Sequence, residues 1–317
     1  MRSRILSAMS EKLRFKQSRK QLGSQADVII LCESDIEATQ VFHRLWETMD
    51  EYEARFSRFN SESELTKLNK NAGQAMIVSD EFLNMIEACI RFNKITTGVF
   101  NPLILPALQY AGYKGSWPAV NTYDKSLDYS ERRLVSFNEV IVKDKSVCLP
   151  SDTALDLGGI GKGYALDIAS QLLEAMHVTD YCISFGGDII CNGNDTHKKP
   201  WKIGVSYVHD HDKPIAYFTN PDASKYAIAS STVVRRKGAG WNHLIDSETG
   251  KPTTSPVLMA TAVTKTGVAA DIAAKFFLLN PDGALKSASS DEEALCVFYQ
   301  YDTSSKLVQK STFIIES

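Results

Sequence analysis

The sequence predicts an α/β protein of the layered α+β kind, with mixed sheets flanked by helices. Three observations carry this. Apolar residues recur at steps of three and four through 35–56 and again through 80–92, the period of helices with one buried face. After residue 181 several short β-type runs follow one another in the chain. No βαβ unit repeats, which separates the pattern from a wheel of parallel strands. The 317 residues, 44% hydrophobic and 23% charged, are enough for one large or two modest globular domains. No linker, repeat or low-complexity tract divides them, so residues 21–317 are read as one domain behind a basic arm at 1–20.

The arm carries Arg2, Arg4, Lys12, Arg14, Lys16, Arg19 and Lys20 against Glu11, a net +6. It reads as a solvated extension; an Arg- and Ser-rich, acid-poor start as an organelle transit peptide is the minor option. No apolar run follows that suits a signal-peptide core, and none anywhere has transmembrane length. The whole chain, at net −3 and pI about 6.1, lacks the charge signature of nucleic-acid binding. Six scattered cysteines without a CxxC pair read as buried thiols of a reducing compartment, so the expected location is the cytoplasm.

In chain order, Asp27–Cys32 reads as a strand and Asp35–Phe56 as a long helix through Val41, Leu45, Met49, Tyr52 and Phe56. A polar turn, Ser57–Leu65, interrupts it. Ser79-Asp80-Glu81 opens a second helix through Phe92 that ends near Gly98, and Gly98-Val-Phe-Asn-Pro102 is a turn. Residues 111–150 are irregular with short β-like runs at 134–137, 139–142 and 146–149. A helix with Tyr164, Ile168, Leu172 and Met176 on one face follows a glycine-rich loop. Strands are expected at 181–185, 201–207, 215–219, 226–229, 260–264, 295–299 and 313–315, and an alanine-rich helix at 267–279.

The glycine-rich loop is Asp156-Leu-Gly-Gly-Ile-Gly-Lys-Gly-Tyr-Ala-Leu-Asp167. Four glycines around Lys162, directly before a helix, suit an anion: backbone can approach closely, and a helix start presents unpaired N–H groups. The spacing fits neither a Walker A loop nor a dinucleotide GxGxxG, and a plain tight turn is the bland reading. His243 lies on an expected strand before an Asp246-initiated turn ending in Gly250-Lys-Pro252, and a lone histidine is usually structural. Asp271 near the start of the alanine-rich helix suits either the helix dipole or a cation, and Lys275 four residues on suits an ordinary ion pair. Gly186-Gly187-Asp188 reads as a ligand approach or a bulge, and His209–Asp212 as a solvated turn.

Taken together and in order, Ser57-Arg-Phe-Asn, Gly98-Val-Phe-Asn-Pro, the Asp156–Asp167 loop, Phe185-Gly-Gly-Asp, His243-Leu-Ile-Asp with Thr-Gly-Lys-Pro, and Ala270-Asp271-Ile-Ala-Ala resemble the FAD:protein FMN transferases, the ApbE family. The resemblance runs from about residue 20 to the C-terminus. It implies an ApbE-like flavin transferase fold and an activity in which FAD and Mg²⁺ bind, FMN passes to a Thr or Ser hydroxyl of an acceptor protein, and AMP leaves. By resemblance, Leu22, Phe59, Val99, Phe100, Asn101, Asp156, Lys162 and Ile245 hold the flavin nucleotide. The Gly159 carbonyl and the Asp271 carboxylate hold the metal, and His243, Lys162 and Asp271 serve the chemistry.

The sequence departs from the family pattern in three places. Asn101 and Leu103 stand where Asp and Thr are usual, and Ser231-Thr232 stands for Ser-Gly. Lys275 stands where a Thr completes the metal site, and a protonated ammonium has no lone pair to offer Mg²⁺. The alternative readings are therefore an FAD-binding protein without transferase activity, or one that hydrolyses FAD to FMN and AMP.

Overall fold

The computed structural model describes residues 12–111, 134–235, 237–238, 241–283, 294, 296–302, 304–309 and 314–316. Its first half runs β1 (Leu13–Gln21), β2 (Ser24–Cys32), α1 (Asp35–Phe56), α2 (Glu64–Lys70), β3 (Ala75–Ile77), α3 (Asp80–Ile95) and α4 (Leu105–Tyr110). The middle holds β4 (Ile141–Lys143), β5 (Ser146–Cys148), α5 (Gly161–Ala175), β6 (Tyr181–Phe185), β7 (Asp188–Asn192), β8 (Lys202–Tyr207) and β9 (Asp210–Thr219). It closes with β10 (Tyr226–Thr232), β11 (Lys237–Gly238), β12 (Trp241–Asn242), β13 (Met259–Thr264), α6 (Gly267–Leu279), β14 (Cys296–Gln300), β15 (Ser305–Gln309) and β16 (Ile314–Glu316).

Eight strands form the main sheet in the order β1-β2-β6-β7-β10-β13-β14-β15, antiparallel at every pairing. Its middle is buried on both faces. On β10, Ala227 and Ala229 face the helices while Tyr226 and Ile228 face the second sheet, β16-β9-β8. That two-residue alternation, with both sides apolar, is why these strands read as continuous hydrophobic runs. A third small sheet, β3-β5-β4, lies beside α3.

The long helix α1 starts on Ser34, whose hydroxyl accepts from the Glu37 N–H at 3.2 Å, and buries Val41, Phe42, Leu45, Met49, Tyr52 and Phe56. Ser79 caps α3 in the same way, accepting from Phe82 N–H at 3.2 Å. Helix α5 forms directly after the glycine-rich loop, and the face it buries is not the one that carries the apolar series from Tyr164 to Met176. Gly163, Leu166, Ala169, Ser170 and Leu173 are buried, while Tyr164, Ile168, Leu172 and Met176 are half-buried packing partners. The small residues face inward because α6 approaches there too closely for large ones.

Residues 13–20, expected in a solvated arm, are instead most of strand β1, paired with β2 from Leu13↔Cys32 to Gln21↔Ser24. Its basic side chains belong to a sheet edge, where charge deters pairing with other chains. Arg19 lies over the Trp46 ring at 4.5 Å and reaches Asp50, and Lys12 pairs with Asp180 at 2.5 Å. Among the described residues no helix is long and apolar enough to cross a membrane.

Candidate functional site

Two glycine-dependent constructions shape the site. The first is the crossing of α5 and α6 at their starts, where a Cβ on Gly163 would sit 2.4 Å from the Gly267 carbonyl oxygen. A Cβ on Gly267 would sit 2.5 Å from the Gly163 carbonyl oxygen, so neither position admits a side chain. The second is the β6–β7 hairpin, whose two-residue turn takes φ of +63° at Gly186 and +93° at Gly187. That turn puts Asp188 at the start of β7, under the glycine-rich loop.

Four charged side chains meet there. Lys162, on the first turn of α5, pairs with Asp188, whose other oxygen accepts from the Ser230 N–H at 3.3 Å. Lys275 pairs with Asp271 one helical turn earlier and also donates to the Asp271 carbonyl oxygen at 3.3 Å. Asp271 is 1% exposed, and its second oxygen accepts from the Gly163 N–H at 3.1 Å. Burial pushes the Asp271 carboxyl up, but the ammoniums of Lys275 and Lys162 outweigh it and hold it below its ordinary value. At Asp188 burial prevails over Lys162 and raises the carboxyl.

Above the charges lies a cavity of about 380 Å³. Every residue that the resemblance assigns to the flavin, namely Leu22, Phe59, Val99, Phe100, Asn101, Asp156, Lys162 and Ile245, lines it, as do His243, Gly159 and Lys275. Asp271 lies beneath the wall, covered by Lys275. Two ammoniums, each paired with a carboxylate, thus line the floor, and the walls are largely apolar, the general pattern of a small-molecule site.

The lining residues differ in how free they are to act. Asp156 is used internally: one oxygen accepts from the Gly158 N–H at 2.8 Å, the other from Arg58 Nε at 2.9 Å. Asn101 accepts from the Leu103 N–H at 3.0 Å and donates to the Val135 carbonyl at 2.9 Å, a bond that a carboxylate could not make. His243 follows β12 rather than lying on it, and is held by its neighbours. Asn242 accepts from the Leu244 N–H at 3.0 Å, and Ile245 bridges Pro252. The Asp246 turn forms as expected, with Asp246 accepting from the Glu248 and Thr249 N–H groups at 2.9 Å.

Several lining residues were not singled out from the sequence. Tyr52 donates to the Gly161 carbonyl at 2.8 Å, and Glu53 accepts from the Leu22 N–H at 3.0 Å. Both lie on α1, where helical periodicity gives one a core role and the other a solvent role. Arg58, within the quoted Ser57-Arg-Phe-Asn block, stacks on Phe59 at 4.4 Å while pairing with Asp156. At the α5 start the Gly163 N–H already serves Asp271.

The metal implied by the resemblance meets a donor set in use. Asp271 gives one oxygen to an ammonium and the other to a backbone N–H, and the Lys275 stem lies against Gly159, 3.9 Å from where its Cβ would be. Among the described residues no group of three or more His, Cys, Asp and Glu is placed to hold a metal ion. His209 sits in the exposed β8–β9 turn, with Asp210 and Asp212 exposed on β9. As arranged, these residues do not fit a divalent ion.

The sequence is 26% identical over 316 residues to the FAD:protein FMN transferase of Haemophilus influenzae, covering 93% of this chain and 88% of that one. It is 23% identical over 274 residues to that of Vibrio cholerae, covering 84% and 81%. Among solved structures, the ApbE protein of Thermotoga maritima superposes with a TM-score of 0.79 at 21% identity, covering 95% of this chain and 98% of that one. The Vibrio cholerae flavin transferase ApbE gives 0.76 at 20%, with the same coverage. The sequence model of the ApbE family matches residues 22–298, most of the length, and the chain belongs to the ApbE family.

Proposed function

We propose that this chain transfers FMN from FAD to a Thr or Ser hydroxyl of an acceptor protein, with release of AMP. The observation that carries the reading is the single cavity that gathers the flavin-assigned residues, His243 and two lysines over two buried carboxylates. The acceptor oxygen attacks the phosphorus of the FMN half, the bond to the AMP phosphate breaks, and the hydroxyl proton leaves. Charge builds on the phosphate oxygens, so catalysis is chiefly positioning and neutralisation. Lys162 meets that charge, His243 takes the acceptor proton, and Arg58 with Asp156 stiffens the wall. No step is assigned to Mg²⁺, which would reach Asp271 only with Lys275 displaced. Six scattered cysteines without a CxxC pair support the cytoplasm as the place of action.

Incubation with FAD and a Thr- or Ser-bearing acceptor, followed by denaturing electrophoresis, tests this. Flavin fluorescence that stays with the acceptor band is the expected result, and AMP should appear in the supernatant. Release of AMP with free FMN and an unlabelled acceptor would indicate hydrolysis in place of transfer.

A further inference from the structure

We propose that Lys275 is the site's resident cation, and that the chain holds the pyrophosphate of FAD between Lys162 and Lys275 without a divalent ion. The proposal rests on the flavin reading above. Lys275 and Asp271 are four apart on α6 and so share one face of the helix. The lysine side chain is 16% exposed, runs past Gly159 and ends on the Asp271 carboxylate. It therefore occupies the approach to the Asp271 carboxylate that a metal would need, while its flank lies beside Gly159 and lines the cavity. Both Asp271 oxygens are satisfied without a metal, by this ammonium and by the Gly163 N–H at 3.1 Å.

The energetics favour the lysine staying. Asp271 is fully enclosed, and a buried carboxylate that loses the ammonium paired with it is strongly penalised. An incoming divalent ion would have to shed water, displace Lys275 and find other ligands, with no cluster of carboxylates among the described residues to supply them. The tethered ammonium needs no recruitment. It presents N–H donors to phosphate oxygens, at the same floor as Lys162. One ammonium carries less charge than a divalent ion and offers hydrogen bonds in place of inner-sphere coordination, so FAD binding is kept while the transfer step is slower.

Titrating FAD against flavin fluorescence, in chelator and in excess Mg²⁺, tests this on the intact chain. Wild-type affinity should change by less than about twofold between the two conditions, against the roughly tenfold or more that losing a bound divalent ion would cause. Calorimetric titration with Mg²⁺ alone should give no saturable heat for the wild type. Lys275→Thr, which opens the space and supplies a hydroxyl, should bind FAD about tenfold more weakly in chelator and recover in Mg²⁺. Lys275→Met should be weak in both. Collapse of wild-type FAD affinity on chelation would overturn the proposal, even if the variants failed to fold. So would wild-type affinity in Lys275→Met. Absence of FAD binding by the wild type in both conditions would instead overturn the flavin reading itself.

Discussion

Asp167 and Asp271 cap each other's helices. Asp167, on α5, accepts from the Gly267 and Val268 N–H groups at the start of α6, at 2.6 and 2.9 Å. Asp271, on α6, accepts from the Gly163 N–H at the start of α5, at 3.1 Å. Each carboxylate meets the positive end of the other helix, and Gly163 and Gly267 let the two starts touch. The crossing places Lys162 and Lys275, one from each helix, on the same cavity.

Gly163→Ala should loosen this crossing. The added Cβ would lie 2.4 Å from a backbone oxygen and 2.8 Å from Asp271 Cβ, and neither is the end of a flexible side chain. A loss of about 1–3 kcal/mol in urea unfolding is expected, with weaker FAD binding in the variant that remains folded. Unchanged stability would mean that the helices are not packed this closely.

Asp167 gives the fold a pH signature. Burial pushes its carboxyl up to about 6 from an ordinary 3.8, against the two N–H groups that favour the charge. The folded state thus holds the proton more tightly than the unfolded chain. This stabilisation is fully present below the ordinary value and is lost as pH rises through about 6, on the order of 3 kcal/mol. Asp167→Asn does not titrate, so its stability relative to wild type should improve from pH 4 to pH 7 by about that amount. Urea midpoints of both proteins across the window check it, and parallel curves would refute it.

Much of the architecture was legible in the sequence because its causes are local. Helix α1 is set by apolar spacing and a serine cap, and α6 runs over the residues that its alanine-rich pattern spans. Strand β1 was hidden because an edge strand carries the charges of a solvated arm. The buried face of α5 was not legible because large apolar residues dominate a periodicity reading, whereas a tight helix crossing selects Gly163, Ala169 and Ser170. Within the site, the glycine-rich loop, His243 and the Asp271–Lys275 spacing could be named in advance. The pairings of Lys162 with Asp188 and of Arg58 with Asp156 join residues far apart in the chain, and no local pattern encodes them.

Lys162 should prove both a binding and a folding residue. Its partner Asp188 is 3% exposed in its side chain, so Lys162→Met leaves a buried carboxylate without its counter-charge, at a cost of about 3–5 kcal/mol. Adding Asp188→Asn should restore most of the stability but not FAD affinity. Riboflavin, which lacks phosphate, should bind the double variant much as it binds wild type. Equal losses for FAD and riboflavin would place the lysine away from the phosphates.

Asn101→Asp, the substitution toward the usual family residue, should destabilise this chain. Asn101 is 7% exposed and donates to the Val135 carbonyl, and a carboxylate there would face that oxygen without a proton to share. A loss of about 1–3 kcal/mol is expected by thermal or urea unfolding. A neutral result would mean that the surroundings of Val135 adapt.

His243 carries the central claim, because it lines the cavity beside Ile245 and is the group assigned to the acceptor proton. The most direct measurement is the intact mass of a Thr- or Ser-bearing acceptor after incubation with FAD and either wild type or His243→Ala. Wild type should add one FMN to the acceptor, while His243→Ala should bind FAD within a few fold of wild type and add none. An acceptor of unchanged mass under wild type with FAD bound, or equal labelling by both proteins, would contradict the account.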